Sequence, residues 1–214
     1  MTTVAVRGES VREVEPEQAQ FTVVTTARDK DRQATLARLR DRADALRQFL
    51  DRYGEAIERR ETGGLHVFPE SGRRGERVTA YQGSVSTTVI VKDFAALGEM
   101  MLAAAGQDQT QVHGPTWSLR PDSPVHRESR AAAVADAIAR AREYAAALGA
   151  EVLELIELAD PGLGGRVEVA TYQAGYGRPG IMSKSSAADL ELDPQRQRVY
   201  AAVEARFTIT SPTL

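Results

Sequence analysis

Residues 123–150 read SPVHRESRAAAVADAIARAREYAAALGA, and this stretch predicts the longest helix of the chain. Ser123 is a favourable N-cap, and Pro124 suits the first helical position, where its missing N–H has no intrahelical partner to lose. Gly149 can adopt the left-handed conformation that ends many helices. Spacings of three and four predict a buried stripe of Val134, Ile138, Ala141, Ala145 and Leu148, opposite Asp136, Arg140 and Glu143. Because this stripe is rich in alanine, we expect the helix to lie close against a sheet.

The rest of the chain divides into segments with strand or helix periodicity. Apolar patterns predict strands over residues 3–9, 18–28, 57–68, 78–91, 111–120, 152–158 and 199–209. We expect the first two strands to form a hairpin, and the third and fourth to form another. Helical spacing predicts a helix over residues 31–53, with the stripe Leu36, Leu39, Ala43, Leu46, Leu50 and Tyr53, and a shorter helix over residues 93–105. The flanks of the first helix carry Arg40 with Asp44 and Arg47 with Asp51 at i,i+4.

This order of elements indicates the fold class. Strands that neighbour one another, with helices set apart to cover them, predict an α+β fold with largely antiparallel sheets, two long helices and one shorter helix. We expect a single domain over residues 1–214, with two sub-lobes as the alternative. Residues 161–196 are rich in glycine, serine and proline and lack an apolar face, so we expect a long flexible loop.

Composition limits the classes of partner and the compartment. A net charge of -3 and a pI near 5.7 disfavour nucleic acid and anionic membranes as partners. The chain has no cysteine, which excludes disulfides and thiolate chemistry. The N-terminal MTTVAVRGES lacks the pattern of a signal peptide, and no segment has 18 consecutive apolar residues. We therefore expect no membrane association and a cytoplasmic location.

Several short motifs in one order resemble the SIMPL-domain family, which includes bacterial oxidative-stress defence proteins. The resemblance rests on Val4-Ala5-Val6-Arg7-Gly8-Glu9, Pro16, Phe21-Thr22-Val23-Val24, the region 62–81 with Tyr81-Gln82-Gly83, the helix 131–149 and the strand 199–209. It covers almost the whole chain. The resemblance implies ring- or barrel-like homo-oligomers and supplies no catalytic residues. Many relatives are exported through a signal peptide, from which this N-terminus departs.

The sequence has no complete motif for metal binding, phosphate binding, nucleophilic catalysis or nucleic-acid binding. The histidines His66, His113 and His126 lie on three separate elements without metal-ligand spacing. The run Gly162-Leu163-Gly164-Gly165-Arg166 lacks the lysine and the following helix of a phosphate loop, and Ser183, Ser185 and Ser186 lack a nucleophile elbow. The basic cluster Arg73, Arg74 and Arg77 has no aromatic stacking partners beside it. We therefore predict no catalytic residues, no metal and no cofactor.

The sequence favours a non-catalytic, self-assembling protein with a scaffold or stress-related role. We expect a homo-oligomer built on sheet-edge or helix contacts. The strand 199–209 has few charges and no proline to discourage pairing between subunits. The apolar seam of the first helix covers a sheet within the subunit or also contributes to a subunit contact. One alternative is a small-ligand or protein-binding module that uses the loop 172–182, with Tyr172, Tyr176 and Met182 as a partner-docking patch. Another is an enzyme that uses carboxylates such as Glu61 or Glu204.

Overall fold

The computed structural model describes residues 2–71, 77–163 and 192–213. Its strands are β1 (Thr2–Val14), β2 (Gln18–Asp29), β3 (Ile57–Ser71), β4 (Val78–Val91), β5 (Thr110–Ser118), β6 (Val152–Ala159) and β7 (Gln197–Ile209). In this described part, the α-helices are α1 (Arg32–Asp51), α2 (Leu97–Ala105) and α3 (Pro124–Ala147), with a 3-10 turn at Phe94–Ala96. The predicted α+β class with antiparallel sheets is confirmed.

The chain divides into two compact units. The first comprises Met1–Val14, Pro121–Lys184 and Arg196–Leu214, and contains β1, α3, β6 and β7. The second comprises Glu15–Arg120 and Ser185–Gln195, and contains the remaining elements. The assignment of residues 1–214 to a single domain stays a prediction. Most of the expected loop 161–196 lies outside the described residues.

The first unit is built on a three-stranded sheet in the order β1-β7-β6. β1 pairs with β7 over its whole length, from Thr2 opposite Ile209 to Val14 opposite Gln197. The predicted hairpin of the first two strands is therefore wrong, because β2 pairs with β4 and β5 in the other sheet. The expectation that the strand 199–209 is a sheet edge is also wrong, because β7 lies between β1 and β6.

Helix α3 packs against this sheet, and its ends are those predicted. The Ser123 hydroxyl accepts a hydrogen bond from the Val125 N–H at 3.3 Å, and Gly149 has φ +63°. The buried face consists of small residues: Ser129, Ala133, Ala137, Ala141 and Ala145. The predicted stripe is confirmed at Ala141 and Ala145. It is wrong at the other three positions, because Val134 and Ile138 pack beside this face and Leu148 is exposed.

Gly8 on β1 is the reason that α3 presents alanines to the sheet. A Cβ atom on Gly8 would lie 2.1 Å from the Ala133 carbonyl oxygen and 2.5 Å from the Ala137 nitrogen. The helix backbone thus rests directly on the strand, in the space that a side chain would occupy. The close approach expected from the alanine content is confirmed, and it fixes α3 over β1 and β7.

The second unit has a four-stranded sheet in the order β3-β4-β2-β5. Its largest apolar cluster includes Phe21 and Val23 of β2, Leu46 and Leu50 of α1, and Met100 of α2. Asp31 caps α1 by accepting from the Ala34 N–H at 2.8 Å. Asp93 caps the 3-10 turn before α2 by accepting from the Ala95 N–H at 3.0 Å, as its position in the sequence predicts.

Candidate functional site

The outer edge of β6 is an unusual surface of the first unit because it is both apolar and unpaired. The exposed side chains are Leu153 (59%), Leu155 (53%), Ile156 (52%) and Leu158 (48%). Within the described residues, β6 pairs with β7 alone. Leu155 lies opposite Phe207 and Leu158 opposite Ala205, whose side chains are buried. Because α3 packs mainly over β1 and β7, it leaves the β6 side chains uncovered.

The opposite edge of the same sheet, β1, has two of its backbone groups occupied by polar side chains of α3. The Glu9 N–H donates to Asp136 Oδ2 at 2.9 Å, and Arg140 Nη1 donates to the Arg7 carbonyl oxygen at 2.8 Å. Asp136 and Arg140 were predicted on the far side of the helix, and this prediction is wrong because the alanine face turns them towards β1. Two backbone groups that could pair with another strand are therefore occupied.

The sheet surface beside these edges carries a hydrogen-bonded network on β1 and β7. Arg7 Nη2 donates to the Tyr200 hydroxyl at 3.0 Å, and that hydroxyl donates to Glu9 Oε1 at 2.9 Å. Burial, followed by the hydrogen bond to Glu9, raises the pKa of Tyr200 above its ordinary value. The hydroxyl therefore accepts from Arg7 and donates to Glu9, and so links the side chains of β1 and β7.

A shallow depression of about 260 Å³ adjoins this network, between β1, β7 and β6. Arg206 lies 3.8 Å from Glu157, and Glu204 accepts a hydrogen bond from the Gly162 N–H at 3.3 Å. The charged groups of the depression thus have local partners. The Gly162 amide, part of the glycine run weighed as a phosphate loop, is bonded to a carboxylate here.

The residues that the sequence singled out for a partner-docking loop, Tyr172, Tyr176 and Met182, lie outside the described residues. The same holds for Arg73 and Arg74, for the serines Ser183, Ser185 and Ser186, and for residues 164–166. The proposal of a docking loop at 172–182 therefore stays a prediction.

The histidines and carboxylates weighed for catalysis or metal binding lie on different elements. His66 is on β3, His113 on β5 and His126 on α3. In residues 2–71, 77–163 and 192–213, no group of three or more His, Asp or Glu side chains could hold a metal ion. Glu61, in the second unit, forms an ion pair with Arg59 at 2.9 Å, whereas Glu204 belongs to the first unit.

The sequence of β6 carries more apolar residues than one face of a regular strand would. Leu153, Leu155, Ile156 and Leu158 follow one another without strict alternation. The register shifts on either side of Leu155 place Leu155 and Leu158 opposite Phe207 and Ala205, on the same face of the sheet. Helix α3, already matched to β1 and β7, leaves this strand exposed.

No helix in the described part of the chain has the length and apolar character needed to span a bilayer.

The chain is similar to two proteins from Brucella. Each is named "26 kDa periplasmic immunogenic protein", one from Brucella melitensis biotype 1 and one from Brucella abortus strain S19. Both are 31% identical to this chain over 175 residues, which cover 74% of this chain and 67% of the relative. Their names contradict the expected cytoplasmic location. That expectation rested on the N-terminal residues, whose alternating pattern reflects pairing of β1 with β7 and carries no information about compartment.

The family comparison agrees with the motifs seen in the sequence. The model of the SIMPL family, described as "Protein of unknown function (DUF541)", matches residues 4–207. The match begins at the third residue of β1 and ends two residues before the end of β7, so it includes both compact units. The chain therefore belongs to the SIMPL family.

Proposed function

We propose that this chain is a periplasmic, non-catalytic protein that self-assembles through the edge of β6. The observation that carries the proposal is the asymmetry of the three-stranded sheet. Asp136 and Arg140 occupy the β1 edge, whereas β6 presents exposed leucines and an unpaired backbone within the described residues. An exposed apolar edge strand is a template for pairing with another chain.

The edge strands of the second unit, β3 and β5, each contain a proline, Pro69 and Pro115, which makes them less suited to pairing than β6. The edge strand β3 carries the charges of Arg59, Arg60 and Glu61 near its start and Pro69 near its end. Its register with β4 is also interrupted between Thr62 and Leu65. Charges, proline and bulges on an edge strand all oppose edge-to-edge association. β6 also carries Glu154 and Glu157 and has register shifts on both sides of Leu155, so it differs from β3 by its four exposed apolar side chains and its lack of proline.

The register of an antiparallel β6–β6 pair follows from its charges. Centring the pair on Leu155 places each Leu155 opposite its copy and each Glu154 opposite Ile156. A shift that centres it between Leu155 and Ile156 would place Glu154 opposite Glu157, and like charges directly opposite are destabilising. This comparison favours a pair centred on Leu155 over the pair shifted by one position.

The expected affinity can be worked from the exposed area. Each of the four exposed side chains has about half its surface to bury, which is worth roughly 1 kcal/mol, so two copies contribute roughly 8 kcal/mol. Four net strand hydrogen bonds add about 4 kcal/mol, and association costs at least about 4–6 kcal/mol. The surplus is therefore at most about 6–8 kcal/mol, which corresponds to a Kd no tighter than about 1–50 µM.

The local partners of the carboxylates support a non-catalytic role, since Glu61 forms an ion pair with Arg59 and Glu204 accepts a hydrogen bond from the Gly162 N–H. The names of the Brucella relatives support a periplasmic location. A stress-related role stays a prediction. Release of the protein by osmotic shock of its native host would agree with the proposed location, and retention in the spheroplasts would contradict it.

Molar mass in solution tests the assembly. Light scattering after size exclusion should give a multiple of 23.2 kDa that falls on dilution. Leu155→Lys should remain at 23.2 kDa, because two lysines would face each other at the centre of the pair. Val11→Lys is the matched control, since Val11 is 49% exposed on the β1 edge. Equal loss of assembly in both variants would refute the assignment to β6.

A further inference from the structure

A cavity of about 370 Å³ lies in the second unit, between α1 and the strands β3 and β4. Its volume is within the range of small-ligand pockets, about 300–1,000 Å³. Helix α1 provides Ala43, Leu46, Arg47 and Leu50, and the strands provide Arg60, Thr62, Val85 and Thr87. We propose that this cavity binds a small amphipathic anion, whose charged group pairs with Arg47 and whose apolar body lies on the floor of the cavity.

The shape of the cavity follows from the way α1 lies on the sheet. Leu39 of α1 packs with Ala27 of β2 and Val85 of β4, so the helix covers these two strands. The edge strand β3 extends beyond the helix, and its register with β4 is irregular between Thr62 and Leu65. The strip of sheet beside the helix is therefore left open.

The floor of the cavity is apolar, with hydroxyl groups at one side. Leu46, Leu50 and Val85 have exposures of 2%, 1% and 8%, so they close the bottom of the cavity and present only a small apolar surface to it. Thr62 and Thr87 lie directly opposite each other in the β3–β4 register, which places both side chains on the cavity face of the sheet. An apolar body with one polar end would match this arrangement.

The charges of the cavity leave one cation available. Arg60 Nη2 lies 2.7 Å from Asp51 Oδ1, and Arg60 Nη1 donates to the Arg47 carbonyl oxygen at 3.3 Å. The i,i+4 spacing suggested Asp51 as the partner of Arg47, but Asp51 pairs with Arg60. The Arg47 guanidinium has no hydrogen bond or ion pair to any other described residue. An anion at this point would meet an uncompensated positive charge.

The inference goes beyond the proposed assembly, since the cavity lies in the second unit and β6 in the first. Sodium decanoate serves as the probe, and isothermal titration calorimetry measures its binding to the full chain. We expect binding by the wild type and a loss of affinity of about tenfold or more in Arg47→Gln, because a charged hydrogen bond is removed. Arg40→Gln is the matched control. It removes the same charge from α1, and Arg40, whose side chain is 82% exposed, does not line the cavity.

Two further measurements separate a built site from general apolar binding. Ala43→Leu, which fills the cavity without altering its charge, should weaken decanoate binding while thermal unfolding verifies the fold. Decanol, with the same chain and no charge, should bind at least about tenfold more weakly than decanoate. Equal affinities of the wild type and Arg47→Gln, equal binding of decanol, or no decanoate binding by the wild type would each overturn the proposal.

Discussion

Replacement of Gly8 by alanine tests the contact that positions α3 on the sheet. The added Cβ would lie 2.1 Å from the Ala133 carbonyl oxygen, 2.5 Å from the Ala137 nitrogen and 2.7 Å from the Ala137 Cβ. Two of these are backbone atoms, which cannot rotate away as a flexible side chain would. Since favourable contacts lie near 3.5 Å, the helix must retreat from β1 by about 1 Å.

The cost of this retreat can be estimated from what it disrupts. Overpacking in a close-packed core costs about 1–3 kcal/mol. The hydrogen bonds from the Glu9 N–H to Asp136 and from Arg140 to the Arg7 carbonyl flank Gly8, and weakening them adds about 1 kcal/mol each. We expect a total loss of about 3 kcal/mol or more in the free energy of unfolding. For a chain of this length, that lowers the Tm by roughly 6–12 °C.

Urea unfolding followed by far-ultraviolet circular dichroism measures this loss. Gly106→Ala is the matched control because Gly106 has φ -74° and its nearest neighbour would be 3.6 Å from the new Cβ. The control should be neutral or stabilising by up to about 1 kcal/mol, since alanine restricts the unfolded chain. A Gly8→Ala variant within about 0.5 kcal/mol of the wild type would refute the close approach of α3 to β1.

Two further substitutions test other contacts of the fold. Ala137→Leu should destabilise the chain by about 1–3 kcal/mol, because Ala137 is fully buried. Ala139→Leu, on the exposed face of α3, should be nearly neutral. Equal melting temperatures of the two variants would show that the buried face of the helix is assigned wrongly. The hydrogen bond from Arg120 keeps the pKa of Glu58 below its usual range, so the stabilisation from this pair is present at neutral pH and is lost as the pH falls below about 4. Glu58→Gln should therefore lower stability at pH 7 and have little effect near pH 3, with Glu143→Gln neutral at both; a constant difference across this range would contradict the ion pair.

Local features of the fold could be predicted from the sequence because neighbouring residues determine them. The caps at Ser123, Asp31 and Asp93 and the stop at Gly149 depend on backbone groups only a few residues away. The bounds of β4 likewise follow from the strand pattern of its own residues, 78–91. The class of fold and the order of its elements were therefore predictable.

Strand partners were not predictable in the same way. The alternation in β1 shows which side chains face a core, but it is equally compatible with pairing to β2 or to β7. The actual partner, β7, lies near the other end of the chain. Because β1 was assigned to β2, β7 was left without this partner and was wrongly predicted to be an edge strand.

The buried face of α3 was misassigned because alanine provides little contrast. Val134 and Ile138 are the largest apolar residues of the helix centre, and they defined the predicted stripe. The sheet instead selects the smallest residues, because Gly8 allows the backbones into contact and leaves no space for a branched side chain. The β6 surface follows from this packing, since a helix placed over β1 and β7 leaves the third strand uncovered.

Hydrogen–deuterium exchange of β6 tests the proposed assembly most directly. Peptides covering residues 152–159 should exchange slowly at protein concentrations well above a Kd of about 50 µM and rapidly at about 1 µM, because pairing protects the outer amides. Peptides covering β1 should exchange alike at both concentrations. Exchange in β6 that is independent of concentration, with a constant mass of 23.2 kDa, would contradict assembly through this edge.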